Sequence, residues 1–132
     1  MPSNTPEKVE ITRRALESAL QGARETHPHE FVCLLRGEKK EGKWVIHEVI
    51  IPPFSSYERH SSGFSDWFIP ANSNEIASFH SHPSPNSAFP SRQDLHFFSR
   101  SGKFHFIASA PYRIQDVNAF DSNGKRMGFQ VV

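Results

Sequence analysis

The run Ser78-Phe79-His80-Ser81-His82-Pro83-Ser84-Pro85-Asn86-Ser87-Ala88-Phe89-Pro90-Ser91-Arg92-Gln93-Asp94 narrows the folds open to this chain more than any other stretch. Glu75 to Phe79 has strand character and leads straight into His80. Pro83, Pro85 and Pro90 bar a helix through the following residues, because proline lacks an N–H and fixes φ. Ser91 then reads as an N-cap with Asp94 three residues on, a capping box with Asp in place of the usual Glu or Gln. The helix it opens runs to about Ser101, and Gly102 closes it. A strand end and a helix N-terminus must therefore meet across a proline loop.

That meeting has chemical consequences. Side chains at i and i+2 of an extended backbone point to the same side, so His80 and His82 can converge on one ion. Asp94 lies in the first helical turn, where the helix dipole favours a carboxylate. Two histidines and one carboxylate leave one tetrahedral zinc position open for water, as a hydrolytic zinc site requires. Each residue alone has a plainer role: a histidine on the surface or satisfied in the core, and Asp94 as a cap. The three together point to a metal.

The rest of the chain supplies one domain's worth of elements, since 132 residues suit one ordinary domain and not two. Residues 1–10 read as a loose tail, and residues 11–132 as the domain. Thr12 caps a helix to about Thr26, with Leu16, Ala19, Leu20 and Ala23 on one face, and Pro28 ends it. Phe31–Arg36 and Lys43–Ile51 make a hairpin around the turn Gly37–Gly42. Phe54–Asp66 reads as a surface loop and Trp67–Ile69 as a short strand. Lys103–Ala110, Arg113–Asp121 and Arg126–Val132 add three strands. The order predicts an α/β (α+β) fold, a single mixed β-sheet packed with helices.

Composition excludes some partners. Residues 1–50 carry eight basic and eight acidic side chains and residues 51–132 carry seven and six, so no basic stripe is available for nucleic acid. No apolar run approaches the roughly 18 residues of a membrane span, and the polar N-terminus does not resemble a signal peptide. A cytoplasmic protein with no membrane and no nucleic-acid partner is expected. Cys33 is the only cysteine; it reads as a small buried hydrophobe in an apolar strand, and it excludes an intrachain disulfide or a multi-cysteine zinc site.

His80-Ser81-His82-Pro83 followed by Ser91-Arg92-Gln93-Asp94-Leu95 resembles the motif of the JAMM (MPN+) zinc metalloproteases. His29-Glu30-Phe31 with Leu34-Leu35-Arg36-Gly37 is similar to that family's first strand, and Lys103-Phe104-His105-Phe106-Ile107 to the strand after its motif helix. The likeness runs from about Ile11 onward and is nearest to short archaeal and bacterial single-domain members. It implies an MPN/cytidine-deaminase-like core and one Zn2+ per chain. It implies Glu30 as the general acid/base and Ser91 as a donor to the oxyanion. It also implies a substrate: the amide or isopeptide bond at the C-terminal tail of a ubiquitin-like modifier or sulfur-carrier protein. Trp67, beside the Phe54–Asp66 loop, and Phe89 are the candidate substrate contacts. Homo-oligomerisation is neither predicted nor excluded by the sequence. Pro83–Pro90 is eight residues long where the family has seven, which implies a bulge in that loop.

His96 follows Asp94 by two helical residues and so turns about 200° away from it; neither it nor His105 is expected among the ligands. His27, His29, His47 and His60 read as surface residues. The alternatives are a non-catalytic scaffold of the same fold, which would not need Glu30, His80, His82 and Asp94 together, and a cupin-like metalloenzyme, which would need a glutamate where Pro83-Ser84-Pro85 stands. An amidohydrolase barrel needs about 250 residues.

Overall fold

A computed structural model of the chain describes residues 8–51, 75–100 and 102–132. In chain order its elements are β1 (Lys8–Ile11), α1 (Arg13–Thr26), β2 (Val32–Lys40), β3 (Lys43–Ile50), β4 (Glu75–Pro85), α2 (Arg92–Phe98), β5 (Phe104–Ala110), a 3₁₀ turn (Ile114–Asp116), β6 (Val117–Asp121), β7 (Arg126–Met127) and β8 (Gln130–Val131). Among the described residues the strands form one mixed sheet in the order β7-β6-β5-β4-β2-β3-β1-β8. The expected α+β architecture is the observed one.

α1 forms where the pattern places it. The Ala15 N–H donates to Thr12 Oγ1 at 3.1 Å, and Ala15, Leu16, Ala19, Leu20 and Ala23 are buried against one face of the sheet. Burying each leucine there contributes about 1.5–3 kcal/mol. The opposite face of the sheet carries α2, whose Phe98 packs with Ala88, Ile107 and Phe120. Strand alternation assigns side chains to the two faces. Cys33 and Leu35 of β2, Ala77 and Phe79 of β4, and Phe104, Phe106 and Ala108 of β5 share the α1 cluster. Val32 and Leu34 of β2, and Ile107 of β5, lie on the other side. By the same parity Ser78, His80 and His82 face α2. Cys33 is fully buried, as its apolar strand implies, and burial raises its thiol pKa.

Several boundaries differ from the sequence reading. β2, expected to end at Arg36 before a turn at Gly37–Gly42, runs through Gly37 to Lys40, because it stays paired with β3 as far as Lys40↔Lys43. α2 ends at Phe98, short of the expected Ser101. Residues 8–10, assigned to the tail, belong to β1, which pairs in parallel with β3 from Lys8↔Lys43 to Ile11↔Ile46. β4 does not stop at Phe79 but runs through both histidines to Pro85, because β5 lies parallel beside it as far as Pro85↔Ala110. Prolines are tolerated there since the last backbone bond on the β2 side is the Ser81 N–H to the Phe31 carbonyl, just past Val32↔His80, so no N–H donor is needed at Pro83 or Pro85. The segment Arg113–Asp121 begins as a 3₁₀ turn: Asp116 Oδ2 accepts from the Arg113 backbone N–H at 2.9 Å and Nε at 2.8 Å, bending the chain before β6. Arg126–Val132 is two strands at opposite edges of the sheet, β7 on β6 and β8 on β1.

This last arrangement fixes the curvature. Only Gly128 and Phe129 separate β7 from β8. Three Cα steps span at most about 11 Å, so the sheet curls until its two edges nearly meet. Phe129 fills the seam, its ring 5.2 Å from that of Phe106 and perpendicular to it.

Candidate metal centre

His80 and His82 reach the centre from the α2 face of β4, and Asp94 reaches it from the first turn of α2. The capping box is fully formed: Asp94 N–H donates to Ser91 Oγ at 3.0 Å, and Ser91 N–H donates to Asp94 Oδ2 at 2.9 Å. The cap therefore orients the carboxylate instead of competing with the site for it. Asp94 Oδ1 stands 3.5 Å from His80 Nδ1, and Oδ2 stands 3.1 Å from His82 Nε2. His80 and Asp94 are buried and His82 is nearly so. The chain thus brings together the three side chains that the spacing singled out.

The His82 ring is set by its other nitrogen. Nδ1 lies 2.6 Å from the Ser87 carbonyl oxygen, so Nδ1 carries the hydrogen and Nε2 is left to face Asp94. The carbonyl is available because the Pro83–Pro90 loop folds back on itself. The β4–β5 register is irregular between His82 and Pro85; Asn86 has a φ of 58°, and Phe89 N–H donates to the Ser87 carbonyl at 2.8 Å.

Charge is balanced locally. Burial raises the Asp94 pKa, but the His82 hydrogen bond, the nearby His80 and the Ser91 N–H outweigh it and bring it down to about 2. For His82 burial acts downward and is overcome by the hydrogen bonds to Asp94 and Ser87 and by the charges of Asp94 and Glu30, so its pKa is raised. His80 is lowered to about 4, mainly by burial, with His82 adding and Asp94 opposing. At neutral pH Asp94 is thus ionised and His80 neutral, while His82 is in contact with Asp94.

Glu30 sits in the extended link before β2, on the same parity as Val32 and Leu34 and hence on the α2 face. The residue is exposed, yet its carboxyl is close enough to couple to His82 and Asp94: partial burial raises its pKa, His82 opposes, and Asp94 adds. Ser91 is exposed at the helix start. Its Oγ accepts from Asp94 N–H, which leaves its own hydrogen to donate outward. Phe89 is 54 % exposed beside Phe120. Trp67, the Phe54–Asp66 loop and His60 lie outside the described residues. His96 is exposed and 3.4 Å from Arg100.

Two residues had no signal in the sequence. Ser81 is wholly buried and bonds to Phe31 rather than facing the centre. His105 is wholly buried beneath it, stacked on Phe98 with centroids 4.0 Å apart. The parity of β5 could have placed His105 on the α2 face; nothing in the sequence tells of its burial.

A curled mixed sheet, one helix on each face, and a strand-borne histidine pair facing a helix-capping aspartate define a JAB1/MPN-class domain. Residues 12–122 match the model of the prokaryotic homologs of the JAB domain, and the chain belongs to that family. It is 36 % identical over 126 residues to a protein of Haloferax volcanii described as a probable metalloprotease, covering 90 % of this chain and 76 % of that protein. Among solved structures it is similar to a JAB1/MPN domain protein of Archaeoglobus fulgidus, with 32 % identity, a TM-score of 0.71, and 93 % and 98 % of the two chains covered. A structure described as a JAMM metalloprotease-like zinc site in the proteasome and signalosome matches with 32 % identity, a TM-score of 0.69, and coverages of 97 % and 99 %.

Proposed function

We propose that the chain is a zinc hydrolase in which His80, His82 and Asp94 hold one metal ion, and that it cuts the amide or isopeptide bond at the C-terminal tail of a ubiquitin-like or sulfur-carrier protein. The observation that carries this reading is the Asp94 carboxylate, which presents one oxygen to each of two imidazoles on the same strand face. The donor set fits zinc: two nitrogens and one carboxylate oxygen, with His82 Nε2 freed for an ion by the Ser87 carbonyl. The described residues do not already form an open ligand cage. His82 Nε2 and Asp94 Oδ2 face each other at 3.1 Å, and Oδ2 also accepts from the Ser91 N–H at 2.9 Å. The similarity to the metalloprotease-like zinc site supports the choice of metal.

Zinc, when bound, supplies Lewis acidity and lowers the pKa of a water from about 15.7 toward about 7. Glu30, which couples to His82 and Asp94, would take a proton from such a water and return one to the leaving amine, which is otherwise a poor leaving group. Burial raises the Glu30 pKa from the ordinary carboxylate value, which makes it a stronger base than a solvated glutamate. The free hydrogen of Ser91 can donate to the oxyanion; losing such a donor typically costs about 10²–10³ in kcat. Phe89 and Trp67 are offered as contacts for the extended tail of the substrate.

The test compares wild type, Asp94→Asn and Glu30→Gln for zinc content and for cleavage of a ubiquitin-like protein whose C-terminal carboxyl is in amide linkage to a fluorogenic amine. About one zinc per chain is expected in wild type, little in Asp94→Asn, and full zinc without cleavage in Glu30→Gln. Full zinc in Asp94→Asn would sink the ligand set. Cleavage by Glu30→Gln would strip Glu30 of its role. Zinc binding without cleavage by the wild type would favour the interaction-scaffold reading.

A further inference from the structure

We propose that Ser81, the residue between the two histidines, is a positioning residue that sets where Glu30 stands, and that Tyr112 fixes the same segment from its other end. The inference rests on Glu30 as the acid/base. Ser81 points to the α1 face, opposite to His80 and His82, and is 0 % exposed. Its N–H donates to the Phe31 carbonyl at 2.9 Å, and its Oγ accepts from the Phe31 N–H at 2.7 Å. These two bonds follow the last paired residues of β2 and β4, Val32↔His80. A side-chain oxygen thus makes the rung that a backbone carbonyl makes elsewhere in a ladder, and it makes it one residue from Glu30.

On the N-terminal side, His27 Nδ1 lies 2.7 Å from the Tyr112 hydroxyl. Tyr112 is itself over-determined. It is 3 % exposed with a φ of 69°, its N–H donates to the Ser109 carbonyl at 2.9 Å, and its carbonyl accepts from Arg24 Nη1 at 2.8 Å. A bulky residue in the left-handed region persists only where its surroundings hold it. The proximity of Tyr112 to Glu30 shows in the upward push that the Glu30 charge adds to the effect of burial on the phenol pKa. Pro28 to Glu30 therefore run between two anchors, His27 and Phe31, with the His29 N–H also donating to the Thr26 carbonyl at 2.8 Å. The anchors hold Glu30 in place relative to the strand that bears His80 and His82. Misplacement of a reacting group by about 1 Å can cost about 10²-fold in rate.

The experiment uses Ser81→Ala, Ser81→Thr and Tyr112→Phe in the full chain. Amide hydrogen exchange at Phe31, followed by NMR on metal-free protein, is expected to rise about tenfold to a hundredfold in Ser81→Ala. Core amides such as Phe79 and Phe106 should hold their rates. With zinc loaded and the fluorogenic amide as probe, Ser81→Ala is expected to lose about 10–100-fold in kcat, with KM and zinc per chain unchanged. Ser81→Thr keeps the hydroxyl and should recover both readouts. Tyr112→Phe, which leaves β4 intact, should lower kcat several-fold with zinc retained, and it stands as a second test if Ser81→Ala fails to fold. Unchanged Phe31 exchange in Ser81→Ala overturns the proposal. So does faster exchange with unchanged kcat, or a loss of zinc in step with activity, which would place Ser81's effect on the flanking ligands. A wild type that does not cleave the probe defeats the proposed function instead, and the exchange comparison then decides the anchor alone.

Discussion

Asp94 serves two masters with one side chain. As a cap it accepts the Ser91 N–H, and with the same carboxylate it faces both histidines. The sequence left cap and ligand as alternatives; the geometry makes them one arrangement. His105 is the opposite case, a residue whose setting no local pattern announces. Its Nδ1 lies 2.7 Å from Ser78 Oγ, and its pKa falls to about 3, chiefly through burial, with His80 adding and Asp94 opposing. The folded-state value is below the unfolded one near 6.5, so between them the unfolded chain binds more protons. Stability is then full above about pH 6.5 and declines as pH falls toward 3, by up to about tenfold in the folding constant per pH unit. His80, lowered to about 4, acts in the same direction. Urea midpoints of metal-free wild type should therefore drop between pH 7 and 4. His105→Phe keeps an aromatic ring on Phe98 but loses the titration, and its midpoint should drop less steeply; equal slopes would clear His105 of the effect.

Elements defined by their own residues were legible. α1 carries its cap and its 3.6-residue stripe within its own sequence, and α2 carries its capping box. Strand ends were less so, because a neighbour decides where pairing stops: β5 extends β4 through the prolines, and the departure of β2 permits it. The β2–β3 pair has its own irregularity. The register shifts between Arg36 and Gly37, and a Cβ at Gly37 would clash with the Val45 carbonyl oxygen. Backbone cannot yield as a side-chain tip can. Gly37→Ala should cost about 1–3 kcal/mol by urea denaturation. Zinc per chain should hold at the wild-type level, since Gly37 pairs with Ile46 while Val32, at the other end of β2, pairs with His80. A variant as stable as wild type would show that the hairpin can slide to accommodate the methyl.

For the whole molecule, closure is the decisive event. β7 and β8 flank a two-residue seam, and Phe129 packs from it onto Phe106. Phe129→Ala removes that contact where both sheet edges end, and a half-buried ring of this size should cost about 2–3 kcal/mol in urea, somewhat less than a fully buried one. A loss under about 0.5 kcal/mol would mean that the seam adds nothing to the stability of the sheet. Among the described residues no helix is long and apolar enough to cross a membrane.

Spacing alone put His80 and His82 on one face of a strand and Asp94 at a helix start, because alternation and capping are properties of a few consecutive residues. The likeness of those residues to a known motif brought in Glu30 and Ser91. Tertiary structure decided what lies far apart in the chain. It joined Ser81 to Phe31 across 50 residues, set the Ser87 carbonyl on His82, buried His105 under the centre, and brought β1 and β8 together at the second edge. Those contacts depend on how the sheet curls, and curling is settled by the sum of many packing contacts that no short window of sequence contains.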